Sequence, residues 1–361
     1  MNSTDILNNP NSKWTEGSGP HADIVISSRV RLARNLKGIP FPYLLPENKE
    51  KEIVNTIQEI MGKKEVKDQN GNYSFFPLKE MSPLKRWVLV EKHLISPMHA
   101  QSKGYKGVLI REDEAVSIMI NEEDHLRIQC LLPAIQLNEA WRLANQVDNV
   151  LEKYLDFAFD QNNGYLTSCP TNVGTGMRAS VMLHLPGLVL MKQAAQVFST
   201  MSQIGLTVRG MYGEGTEALG NLFQISNQVT LGLSEEDIIS HLSSVALQVI
   251  EQERSAREIL RRDAKEQLED RVWRSYGILS HSRIISSQEA MRLLSELRFG
   301  IDMNLIKEID PRVFNELIVL IQQAFLQKNS EMELNSQQRD IKRAEIIREK
   351  LSNNYGGDKY V

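Results

Sequence analysis

The chain has 361 residues, 24% of them charged and 41% hydrophobic, with a formal net charge of −4. That length allows two or three domains and a sizeable core, while the mildly acidic balance supplies no global positive field for nucleic acid or an anionic membrane. Two cysteines, Cys130 and Cys169, exclude a disulfide framework.

The opening residues MNSTDILNNPNSKW lack the basic and apolar regions of a secretory leader, and no run approaches the ~18 apolar residues of a membrane span. A soluble, cytoplasmic protein is expected. Seven histidines show neither HExxH nor paired Cys/His spacing, so no metal ligands are assigned to the chain. Residues 1–22, rich in Asn, Ser, Gly and Pro, are expected to be a flexible lead-in.

Structure is expected from Asp23. DIVISSRVRLARNL alternates as a strand, and a period of two puts Arg29 and Arg31 on one face. AVSIMI (115–120) and HLRIQCL (125–131) form a hairpin whose tip, Asn-Glu-Glu-Asp, is rich in carboxylates. Apolar spacing from Leu137 to Tyr154 then predicts a long amphipathic helix. GYLTS, RASVMLHLP, LTVRGMY and LFQISNQVTLG predict further strands, with one helix, GLVLMKQAAQVFSTMSQIG, between the second and third. The expected class is α+β, with a largely antiparallel sheet flanked by helices over 23–255. At Ser234 the texture changes. A capping box opens a charged helix running through to Trp273, SSQE at 286–289 caps another, and Pro311 opens a third. Residues 256–361 are therefore predicted to be an all-α domain.

The stretch CPTNVGTGMRAS (169–180) joins a thiol, a glycine turn and an arginine. It is not a Walker A loop, because no Gly-Lys-Ser/Thr follows the glycines. Arg29, Arg31, Arg127, Arg178 and Arg209 fall near predicted loops and strand ends. Singly each suits a solvated surface; together they could hold a nucleotide triphosphate, since a guanidinium fork matches phosphate oxygens. Glu123 at the hairpin tip and Glu214 in YGEGTE would be odd beside a polyphosphate unless a cation lies between them.

NEEDHLRI (121–128), CPTNVGTGMRAS, SSRVRLAR (27–34) and RGMYGEGTE (209–217) resemble the ATP:guanidino phosphotransferase family, which includes the arginine and creatine kinases. The resemblance implies that ATP is held around Ser27, Ser28, Arg29, Val30, Arg31, His93, Arg127, Arg178, Ala179, Ser180, Val181, Met182, Arg209, Gly210, Met211, Tyr212 and Gly213. It implies that Glu123, Glu214 and Cys169 are catalytic, the acids gripping a substrate guanidinium and the thiolate standing beside it. Mg²⁺ would be held mainly by nucleotide phosphates and water.

Kinases for small guanidino compounds carry an N-terminal helical domain, whereas here only 26 residues stand before SSRVRLAR and about a hundred residues expected to be helical follow the catalytic motifs. This arrangement is similar to that of the bacterial protein arginine kinases, whose RDxxRA signature matches RDIKRA at 339–344. Arg339 and Arg343, four apart, would share a helix face and, with Asp340 and Ala344, form an allosteric phosphoarginine receptor. The resemblance further implies proteins with exposed arginines as substrates, a zinc-containing activator, a heat-shock repressor and the Clp protease machinery as partners, and a homodimer. A kinase for free arginine and a non-catalytic phosphoarginine-binding adaptor are the alternatives.

Overall fold

The computed structural model describes residues 3–210, 219–330 and 332–354. In chain order the strands are β1 (Val25–Arg34), β2 (Tyr73–Pro77), β3 (Gly107–Arg111), β4 (Val116–Ile120), β5 (Leu126–Pro133), β6 (Phe159–Asp160), β7 (Gly164–Tyr165), β8 (Met177–His184), β9 (Leu206–Gly210) and β10 (Leu222–Asn227). Eight of them form one sheet in the order β2-β3-β4-β5-β1-β8-β10-β9, and every neighbouring pair is antiparallel. β6 and β7 make a separate two-stranded ribbon.

The alternation of β1 gives the sheet its two faces. Val30 and Leu32 point one way, with Ile128, Cys130, Ala179, Val181 and Leu183 beside them, into a core closed by the helices Glu47–Gly62, Leu137–Glu152 and Glu235–Asp263. Each large apolar side chain buried there is worth about 1.5–3 kcal/mol. Ser27, Arg29 and Arg31 point the other way. On that side Leu131 and Met182 pack with the C-terminal helices in a second core, which also takes in Trp14, Val88 and Leu222.

The structure corrects three expectations. Residues near the start are not a loose lead-in: Ser3–Asn8 and Lys13–Glu16 are helical, Trp14 is buried, and its indole Nε1 donates to Lys92 O at 3.1 Å. The fully buried Lys92 ammonium in turn donates to Ile6 O and Asn9 O and pairs with Glu114. Polar composition alone hid this, because one tryptophan and one buried lysine anchor the segment. The helix expected over 187–205 is two, Pro186–Leu190 and Ala194–Gln203. The helix from Ser234 is also two, Glu235–Asp263 and Lys265–His281, broken at Ala264, whose φ is −141°. Residue 255 therefore lies inside a continuous helix, and the change of core falls between Ala256 and Leu268.

Candidate active site

β1 is the centre of the site because it lies between β5 and β8. Its register sets Arg29 opposite Leu131 and Ser180, and Arg31 opposite Gln129 and Arg178. Arg127 lies two residues before Gln129 on the same face of β5, and Arg209 on β9 pairs with Gln224 of β10. The antiparallel ladder thus brings five arginines from four strands to one surface.

The loop before Arg178 is fixed by local chemistry. Gly174 has φ +113° and Gly176 φ +63°, and a Cβ on either would stand 2.2 Å from Thr230 O or 2.6 Å from Ala33 O, so only glycine fits. Arg34, on the core face, braces the same loop: it grips Asp148 bidentately at 2.7–3.1 Å and donates to Thr175 O. At the other edge His93 sits at φ +59°, with its carbonyl accepting from Gln129 Nε2 at 2.8 Å.

The electrostatics of this face are unusual. Arg29 donates to Gln224 Oε1 at 2.7 Å, and burial, with Arg127 and Arg178 nearby, pulls its pKa down to about 10. Arg31 is pushed well below its ordinary value by burial and by Arg29, Arg127 and Arg178, and its Nε is buried with no hydrogen-bond partner among the described residues. Burial and Arg29 hold His93 down at about 4, so the ring is neutral near pH 7, with a buried Nε2 lacking a partner among the described residues. Gathered like charges, with Arg31 Nε and His93 Nε2 unpartnered among the described residues, suit a polyanionic ligand.

Arg127 has acidic partners. Its guanidinium pairs with Glu122 at 2.5 Å and Glu123 at 2.9 Å. Glu123 stands at the tip of the β4–β5 hairpin, half-buried, and burial raises its pKa against the pull of Arg127. Next to it, Asp124 Oδ1 accepts from Ser168 N and Asn35 Nδ2, both at 2.7 Å, tying the hairpin tip to the Cys169 loop. Cys169 is partly exposed and its Sγ lies 3.0 Å from Thr171 Oγ1.

A cavity of about 830 Å³ opens over the arginine face, lined by Arg29, Arg31, His93, Arg127, Arg209 and Gly210 among the expected residues. Ser27, Ser180 and Met182 line a small recess continuous with Arg29 and His93. Not every expected contact is there. Val30, Ala179 and Val181 are buried in the opposite core, and Ser28 Oγ donates to Ala134 O at 2.8 Å. Met211, Tyr212, Gly213 and Glu214 lie outside the described residues. Sequence reasoning missed Glu122, Gln129 and Gln224, and also Trp87, Glu91 and the segment 322–327, which line the cavity from beyond the sheet. Gln129 could have been found by the period of two from Arg127; nothing in the sequence signals the others.

The RDIKRA residues lie on the helix Ser336–Asn354, outside the lining of the cavity over the arginine face. Arg343 does not form an outward fork with Arg339. It is buried, donating to Ile321 O at 3.0 Å and Ile285 O at 2.9 Å and pairing with Asp340 at 2.5 Å. Ala344 is fully buried, whereas Arg339 lines a groove of about 940 Å³.

Residues 52–256 match the family model of the ATP:guanido phosphotransferase C-terminal catalytic domain. The chain belongs to that family. Residues 265–359 match the model of the protein-arginine kinase McsB C-terminal domain. The protein-arginine kinase of Moorella thermoacetica is 57% identical over 95% of this chain and 98% of its own length, and that of Brevibacillus brevis 51% over 97% and 98%. Within the family the chain is therefore one of the protein-arginine kinases. Among solved structures, the duplicated taurocyamine kinase from Schistosoma mansoni aligns with a TM-score of 0.58 at 25% identity, over 74% of this chain and 40% of that one. Lombricine kinase, at 22% identity and a TM-score of 0.55, shares the fold. No described helix is long and apolar enough to cross a membrane.

Proposed function

We infer that this protein-arginine kinase transfers the γ-phosphoryl group of ATP directly to an arginine side chain of a protein, and that the arginine face is where it does so. The observation that carries the reading is the set of arginines gathered on one face of the sheet beside the Glu123 hairpin. Arg29, Arg31, Arg127, Arg178 and Arg209 hold the phosphates. Glu123 and Glu214 grip the acceptor guanidinium and one of them takes its proton as the nitrogen–phosphorus bond forms and the bond to ADP breaks. Arg127, already bridging to Glu123 at 2.9 Å, links the phosphate grip to the acceptor grip. Cys169 serves as a wall of shape and charge against the guanidinium.

With Glu122 and Glu123 both engaged by Arg127, the donor set fits a polyphosphate better than a bare cation. Mg²⁺ would enter on the nucleotide, held by phosphates and water, and neutralise charge there. We further propose a cytoplasmic, stress-related role, with a zinc-containing activator, a heat-shock repressor and the Clp protease machinery as partners of a homodimer. Arg339 and Asp340 are the accessible part of an allosteric phosphoarginine receptor that Arg343 and Ala344 support from within.

Incubation with Mg-ATP and an arginine-rich protein should give acid-labile phosphate on arginine, seen by ³¹P NMR. Glu123→Gln should lose about 10²-fold or more in rate with ATP affinity retained; near-native turnover would remove Glu123 from the mechanism.

A further inference from the structure

Residues 40–46, PFPYLLP, follow β1 and carry three prolines, which fix φ and leave the segment few conformations. A 3-10 turn, Pro42–Leu44, forms there, with Leu44 N donating to Phe41 O at 2.9 Å and Leu45 N to Pro42 O at 3.2 Å. Pro42 is buried, whereas Tyr43 is 71% and Leu44 62% exposed, two of the three most exposed large apolar side chains among the described residues. The Tyr43 ring stacks on Phe41, with centroids 6.3 Å apart. Apolar side chains scattered singly over a surface are ordinary; here an adjacent pair stands on a stiffened turn.

This ledge is tied to the Glu123 hairpin. His125, next after the carboxylates Glu122, Glu123 and Asp124, is fully buried. Its Nδ1 accepts from Leu36 N at 3.0 Å, so Nε2 carries the proton and donates to Pro40 O at 2.9 Å. Asn35, also buried, donates from Nδ2 to Asp124 Oδ1 at 2.7 Å and to Leu166 O at 3.0 Å, while its Oδ1 accepts from His125 N at 2.9 Å. Pro40 is three residues from Tyr43 and His125 two from Glu123. That path is short enough for an extended segment of about eight residues to reach both the ledge and the hairpin tip.

We propose that Tyr43 and Leu44 receive an apolar side chain of the protein substrate flanking the arginine to be phosphorylated, so that the kinase favours arginines beside apolar residues in extended segments. The inference rests on the Glu123 hairpin being the acceptor grip and adds what holds the polypeptide around the arginine. The occupant follows from where the ledge is attached. A protein-arginine kinase meets its acceptor on a polypeptide, and the ledge is bonded through His125 and Asn35 to the acceptor hairpin. Apolar area is what the ledge offers, and its removal from water is the driving force for a contact that reads hydrophobicity and not charge. The prolines lower the cost of that contact, because a turn already held in one shape loses little conformational entropy when it is covered.

The test uses the full-length protein, Mg-ATP and two carrier proteins free of other arginines. Each carrier ends in a flexible tail with one arginine, flanked by leucines in one and by glycines in the other. The native kinase should show a KM on the order of tenfold lower for the leucine tail. Tyr43→Ser combined with Leu44→Ser should erase that preference by raising the KM for the leucine tail, with kcat, the KM for ATP and the KM for the glycine tail unchanged. Tyr43→Phe should keep the preference. The proposal is overturned if the native kinase prefers neither tail or phosphorylates neither, or if the double variant keeps the preference. It is also overturned if the double variant loses equally on both tails, which would make the turn a support of the fold, or changes oligomeric state, which would make the ledge a contact between copies. Glu123→Gln separates the two readings, because it should stop phosphorylation of both tails. If it stops neither, the acceptor site itself is wrong and the ledge falls with it; if it stops both while the double variant keeps the preference, only the ledge is wrong.

Discussion

Two groups of arginines in this molecule have opposite energetics. On the sheet, Arg29 and Arg31 are buried beside other cations and are held below their ordinary pKa. On the helix Ser336–Asn354, Arg343 is more fully buried, but two carbonyls and Asp340 take its donors. The difference separates a binding surface from a structural tie. A buried guanidinium whose partners are supplied by the fold contributes to stability, whereas one lacking them keeps its binding capacity for a ligand.

The contrast is sharpest in stability. Arg343→Met leaves Ile321 O, Ile285 O and Asp340 without their partner and should cost roughly 3–5 kcal/mol, as breaking a buried pair does. Arg31→Met removes desolvation and like-charge repulsion; its unfolding midpoint in denaturant, without phosphate or nucleotide, should not fall, while kcat drops on the order of 10²–10³-fold. Comparable destabilisation by the two substitutions would erase the distinction.

Acid should affect the sheet side of the cavity through His93. Its folded pKa of about 4 lies below the ordinary 6.5, so its contribution is full above 6.5 and is lost as pH falls towards 4. That span corresponds to about 3 kcal/mol. The stability difference between the native protein and His93→Gln should shrink by that order from pH 7 to pH 4, and a constant difference would contradict the assignment. Glu91 runs the other way: burial lifts its carboxyl to about 7, so stability is lost as pH rises from about 4.5 to about 7.

The smallest effect is expected at Asp340. Partly exposed, it pairs with Arg343 three residues away, and Asp340→Ala should cost about 1 kcal/mol or less of stability. Calorimetric titration of phosphoarginine, with Glu123→Gln in both proteins to stop turnover, should nevertheless show binding lost in the Asp340 variant. Equal binding in the two proteins would place the receptor elsewhere.

By itself the sequence determined the antiparallel strands, the capped C-terminal helices and the pairing of Arg29 with Arg31 on one face, because these follow from periods of two and 3.6 and from local capping. Its quoted motifs placed the carboxylate-tipped hairpin and the glycine loop. It did not reveal that Val30, Ala179 and Val181, inside the same motifs, face the opposite core, although the same alternation requires it once β1 is paired on both sides. Only the tertiary structure decided that Glu122 shares Arg127 with Glu123, that Trp14 and Lys92 anchor the first residues, and that residues from 322–327 line the cavity over the arginine face. Those contacts join side chains far apart in the chain, or, as with Glu122, turn on which way one loop carboxylate points. Local periodicity carries no information about either, because both are set by how the cores pack on opposite sides of one sheet.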